Sequence, residues 1–264
     1  NTTGVANSAF GHKSLINNTI GVNNSAFGYF ALSSNTTGQA NAAFGSYALN
    51  NNTTGASNSA LGLNALRNNT IGSSNSAFGV SALRVNTTGN NNSAFGQLAL
   101  ASNTTGQNNN AFGLYALQAN VTTNSNNAFG RGALRSNTVA GNNAFGYYAL
   151  NLNVAGTGNS AFGTKALQVN TTSNNSAFGY RALSSNTTGT DNSAFGYRSL
   201  RNNTIGNQNT AFGSSTLRDN TTGSNNSAFG VAALLYNTSG NSNSAFGRSA
   251  LQNNTIGSQN TAFG

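Results

Sequence analysis

The sequence predicts an all-β chain, a parallel β-solenoid of about fifteen 17-residue coils. Three observations lead there. The pattern N-S-A-F-G-x-x-A-L-x-x-N-T-T-G-x-x recurs through all 264 residues, and a short fixed period marks a stack of like units, each burying its apolar side with its neighbours. No apolar period of about 3.6 residues runs through the repeat, and its Asn-Thr-Thr-Gly run opposes helix. Proline is absent, which suits an unbroken ladder of backbone donors.

Each slot of the repeat has a reading. The fourth holds Phe from Phe10 to Phe263, with Leu61 the one exception, and the ninth holds Leu from Leu15 to Leu251. With the Thr or Ile of the fourteenth slot these lie five residues apart, which fits inward-pointing centres of three short strands. A core ladder is therefore expected through Phe27, Leu32, Phe44, Leu49, Phe95, Leu100, Phe195 and Leu200. The fifth slot is always Gly, as a corner with positive φ or a close backbone approach requires. Asn fills the first and twelfth slots without exception. It tolerates turn geometry and stacks as a side-chain amide ladder, expected at Asn35, Asn52, Asn186 and Asn203. The invariant third-slot Ala marks a tight spot, inside the coil or against another chain. Two coils are one residue short, over Asn137–Asn142 and Asn170–Asn175, so the deletion falls in a turn, where it costs least.

Composition alone would read as disorder: charged residues are 5% and hydrophobic ones 36%, with 32 Gly. A disordered chain, however, has no reason to keep Phe and Leu in register. No compositional shift or linker divides the chain, so residues 1–264 read as one continuous array, expected to be part of a longer one. Without cysteine there is neither a disulfide nor a thiolate metal site. One Leu and one Phe per coil make a thin core for 17 residues, so side-by-side association of chains is expected to help.

The run N-S-A-F-G-x-x-A-L-x-x-N-T-T-G resembles the head repeats of YadA-like trimeric autotransporter adhesins. It is also similar to the N-T-A-F-G-x-x-A-L repeats of bacterial surface and phage tail-fibre proteins. The resemblance covers the whole chain. It implies a left-handed parallel β-roll, a homotrimer, and a place in an extracellular or cell-surface fibre or a virion tail fibre. The repeat here is longer than the typical adhesin head repeat, and Phe stands where that family has Ile or Val.

Catalysis has little material. The only acids are Asp191 and Asp219 and the only imidazole is His12. The two carboxylates fall almost two coils apart and at different positions around the coil, so no enzyme activity, cofactor or metal is expected. The variable slots are richer. All eleven Lys and Arg fall in the sixth, seventh or tenth slot, and seven of eight Tyr in the sixth or seventh. Stacking gathers Tyr29, Tyr47, Tyr115, Tyr147, Tyr148, Tyr180, Arg181, Tyr197 and Arg198 into a stripe that carries much of the net charge of +9.

Two interpretations of the stripe stand side by side. It is either the solvated face of a fibre, or a contact surface for glycans or acidic polymers with rings and guanidiniums as stacking platforms. Nucleic acid is disfavoured because the charges number fewer than one per coil, and no membrane insertion is expected. The leading expectation is a structural module of an extracellular fibre, adhesin or tail fibre, acting through multivalent weak contacts. A carbohydrate- or polyanion-binding module and a subunit of a self-assembling filament are the alternatives. Regularly spaced Thr also raises an ice-binding surface.

Overall fold

The computed structural model describes residues 1–264, and every regular element in it is a three-residue strand in the second to fourth slots of a coil. Two units, Asn1–Gly132 and Ala133–Gly264, are described separately. The first holds β1 Ser8–Phe10, β2 Ser25–Phe27, β3 Ala42–Phe44, β4 Ser59–Leu61, β5 Ser76–Phe78, β6 Ser93–Phe95, β7 Asn110–Phe112 and β8 Asn127–Phe129. The second holds β9 Asn143–Phe145, β10 Ser160–Phe162, β11 Ser176–Phe178, β12 Ser193–Phe195, β13 Thr210–Phe212, β14 Ser227–Phe229, β15 Ser244–Phe246 and β16 Thr261–Phe263. Within each unit successive strands pair in parallel, like residue on like residue, as Ser76↔Ser93, Ala77↔Ala94 and Phe78↔Phe95 show. Both units are parallel β-solenoids.

The rest of the coil is a succession of turns that still bonds to its neighbours. Leu32 N–H donates to Ala48 of the next coil, and Gly45 N–H to Phe27 of the preceding one. The carbonyl of Thr53 accepts from Thr36, Thr37 and Gly38 N–H and from the Thr36 hydroxyl. Backbone polar groups are thus satisfied between coils although only three residues per coil are strand.

In most coils three non-glycine residues sit in the left-handed region. In the third coil they are Tyr47 (φ 58°), Leu49 (φ 49°) and Ser57 (φ 57°). These seventh, ninth and seventeenth slots turn the chain round a narrow interior. The interior holds two Ala, one Leu and two Asn per coil: Ala43, Ala48, Leu49, Asn41 and Asn52 are all buried. The invariant alanines therefore face the inside of the coil.

The core differs from expectation in one ladder. Leu32, Leu49, Leu100 and Leu200 are buried, but Phe27 and Phe44 are each 39% exposed, and Phe95 and Phe195 are half-buried on the same outer face. Successive strand residues point to opposite faces. Ala in the third slot takes the inside, so Ser in the second and Phe in the fourth must point out. The interior, already filled by Leu and Asn from across the coil, leaves no room for a phenyl ring. Nor are there three strands per coil. The ninth slot is a left-handed turn residue, and the fourteenth lies outside, with Ile71 54% exposed.

Candidate interaction faces

Both Asn columns are internal. Asn52 Nδ2 donates to Asn35 Oδ1 at 2.8 Å and to the Gly55 carbonyl at 2.9 Å, and its own Oδ1 accepts from Asn69 at 2.8 Å. Asn186 and Asn203 repeat this arrangement, with 2.8 Å between them. The first-slot column donates in the same direction, as from Asn58 to Asn41 at 3.2 Å. At the second short coil the twelfth-slot ladder is diverted: Asn170 donates to the Thr172 carbonyl, and in the coil before it Asn153 Oδ1 accepts from Gly156 N–H. These columns hold the coil together and present nothing to a ligand.

The outer face of the strands carries a phenylalanine ladder. Phe78, Phe95, Phe112 and Phe129 stack with centroids 4.6–4.7 Å apart and planes within 5°. Two rings side by side in one plane cannot come so close, so the faces meet and the edges point outward. Leu61 breaks the ladder and leaves an open apolar notch of about 360 Å³ between Phe44 and Phe78. The second unit stacks Phe145 through Phe263 without a break.

The Tyr and Arg residues do not form one even stripe. In the first unit His12, Tyr29, Phe30 and Tyr47 make one aromatic cluster. Its contacts include Tyr29–Phe30 edge to face at 4.6 Å and Phe30–Tyr47 stacked at 5.7 Å. Lys13 lies over Phe30 and Arg67 over Tyr47. The next coils of that unit present Leu63, Val80 and Gln97 instead, before Tyr115. In the second unit Tyr147 and Tyr148 meet edge to face at 4.4 Å, and Tyr180 stacks on Tyr197 at 5.5 Å. Arg181 lies over Tyr180 and Arg198 over Tyr197, at 5.4 and 4.8 Å. Where these rings stack, their faces are taken by each other and by guanidiniums. The expected stacking platform for a ligand is therefore closed at Tyr180 and Tyr197, which offer edges and hydroxyls.

Sequence reasoning missed Phe30, although its seventh slot marks it as part of the aromatic face. It also missed that the tenth slot borders the seventh. Arg67 lies over the Tyr47 ring and bonds Asn64 Oδ1 at 3.5 Å. A polar groove of about 400 Å³ runs between the two slots, lined by Lys13, Phe30, Ser33 and Asn50 among others.

The titratable groups stay apart. Asp191 is a left-handed turn residue (φ 58°). Asp219 takes a bidentate pair from Arg218, 2.9 and 2.6 Å, and a third bond from Asn202 at 2.9 Å. The Arg218 hydrogen bond holds the Asp219 carboxyl below its ordinary value, against the opposing effect of partial burial, and the carboxylate in turn raises the guanidinium. No three metal-ligating side chains come together, and no helix is long and apolar enough to cross a membrane. Thr36, Thr53 and Thr70 spend their hydroxyls on carbonyls of the next coil, so this rank does not present them to ice.

No known family model and no curated protein matches the chain.

Proposed function

We propose that the chain is a non-catalytic structural repeat module of an extracellular fibre, adhesin or tail fibre, in which three copies associate side by side through their phenylalanine faces. The solenoid supplies extension: each coil templates the next, so length grows without a new fold. The exposed phenylalanine ladder is the observation that carries the association. The inner rings are part-exposed, Phe27 and Phe44 at 39% and Phe229 and Phe246 at 36%, and line up as an apolar strip on the outer face of each unit. The largest apolar patch on a single chain is often functional. Flanking Ser and Ala are small enough to let a second ladder approach. The number three comes from the resemblance to trimeric adhesin heads, which also supports the cell-surface or virion location.

Light scattering after size exclusion tests this. The expected mass is about three times the 26.8 kDa of one chain. Replacing Phe95, Phe112, Phe195 and Phe212 by Gln is expected to return the single-chain mass with the circular dichroism spectrum unchanged. A single-chain mass for the unaltered protein at tens of micromolar, or one that the four changes leave untouched, would sink the reading. Long polydisperse species from the unaltered chain would favour a filament subunit instead.

A further inference from the structure

We infer that the four coils from Lys165 to Asp219 form a binding groove for a linear acidic polysaccharide, one carrying a carboxylate or sulfate on most of its sugars. The inference goes beyond the fibre reading and does not rest on it. Lys165, Arg181 and Arg198 occupy the seventh slot of three successive coils, in register through Arg181 N–H to Thr164 and Arg198 N–H to Tyr180. Arg201 and Arg218 occupy the tenth slot of the third and fourth coils, and Asn202 N–H to the Arg218 carbonyl ties those two coils together. Seventh and tenth slots are the two walls of the groove seen beside Lys13 and Phe30.

Five cations therefore occupy, across four coils, the seventh and tenth slots that wall that groove in the first unit. The carboxylate among them is Asp219, already paired with Arg218 at 2.6 Å; Asp191, in the seventeenth slot, is elsewhere on the coil. Arg181 and Arg198 rest on tyrosine rings with no carboxylate partner, and Arg198 Nε has no acceptor. In the first unit cations on these slots never run beyond the two successive coils of Arg67 and Arg84.

Geometry selects the ligand. Seventh-slot charges repeat at the coil spacing, about 4.8 Å, close to the length of one sugar in an extended chain, so each cation meets one anionic group. Tyr180 and Tyr197, 39% and 46% exposed, occupy the sixth slot next to Arg181 and Arg198 and bring phenol hydroxyls suited to sugar hydroxyls. A nucleic acid base would need ring faces. The two rings stand 5.5 Å apart, short of the roughly 7 Å that a base stacked between them requires.

Binding of heparin (sulfated), polygalacturonate (carboxylated), dextran (neutral) and a 20-nucleotide oligo(dT) is to be measured by calorimetry at low salt. Two triple variants of equal charge are compared: Lys165→Gln/Arg181→Gln/Arg198→Gln, and Arg67→Gln/Arg84→Gln/Arg131→Gln. Other coils carry Ser, Asn or Ala in the seventh slot and Gln in the tenth (Gln118, Gln168, Gln252) and sixth (Gln97), so both are expected to fold, with circular dichroism as the check. At least one acidic polysaccharide is expected to bind and dextran not. The first variant is expected to lose about tenfold in affinity and the second less than about threefold; which polymer binds tells sulfate from carboxylate. Equal losses in both variants would reduce the groove to a net-charge effect and overturn the inference. So would oligo(dT) binding as tightly as the polysaccharide, or no binding by either acidic polymer. Light scattering on the same samples reports the fibre reading separately, since these substitutions leave the phenylalanine face intact.

Discussion

Asn52 shows how much one side chain carries. Its amide donates twice and accepts once in a site closed to water. Asn52→Asp keeps the shape and turns the donor toward two oxygens as an acceptor. Leaving buried polar groups unpaired costs about 1–3 kcal/mol each, more when charged. The variant is therefore expected to lose at least about 3 kcal/mol in urea denaturation. Asn51→Asp, one residue away but exposed, is expected to change stability by less than about 0.5 kcal/mol; equal effects would deny the ladder its role. Asp219 behaves differently. Its carboxyl sits below the ordinary value because Arg218 bonds the charged form. That contribution is present above the unfolded-state value and is lost as pH falls through the folded one. Asp219→Asn is expected to lower Tm slightly at pH 7, a surface pair being worth about 0–1 kcal/mol, with the difference vanishing once the pH falls below the lowered carboxyl value.

At the scale of one coil, the left-handed positions set the shape. Slot five has φ near +134° at Gly45, and a Cβ there would meet the Gly62 carbonyl oxygen at 2.6 Å. Gly45→Ala has to strain the backbone and push against the next coil, and a loss of at least about 2 kcal/mol is expected in the same urea assay. The seventh slot allows the opposite change. Ser81 sits at φ 58° with its side chain outside the core, and the chain itself uses Gly132 in that slot. Ser81→Gly is expected to be neutral or stabilising by up to about 1 kcal/mol, whereas Leu83→Gly, equally left-handed but buried, is expected to cost about 3 kcal/mol or more. This is also where sequence reasoning stopped short. Period, Asn columns and turn glycines were legible because identical residues recur. The outward turn of Phe was not, because five-residue spacing suits three strands as well as one strand with left-handed turns. Only the alternation around third-slot Ala decides it. The tyrosine positions were legible too, but not that their faces would be spent on one another.

Across each whole unit the bonds that hold coil to coil are, apart from Asn202 to Asp219, between amides, carbonyls and hydroxyls, none of which titrates between pH 5 and 9. The chain holds only two carboxylates and one imidazole. Tm is expected to move by no more than about 3 °C from pH 5 to 9, and a sharp acid transition in a thermal melt would contradict this.

The amide columns give each unit a direction. Backbone bonds between coils run both ways, Leu32 toward the following coil and Gly45 toward the preceding one, with more of them toward the following coil. The bonds from asparagine to asparagine run one way. In both, Nδ2 donates to the Oδ1 of the coil before it, as Asn58 to Asn41 and Asn52 to Asn35 show. Their dipoles add, as peptide dipoles do along a helix. Positive amide hydrogens face the N-terminal side and negative oxygens the C-terminal side. The columns are directional, and anything that extends the stack coil on coil must arrive in one orientation, asparagine donors meeting asparagine acceptors head to tail.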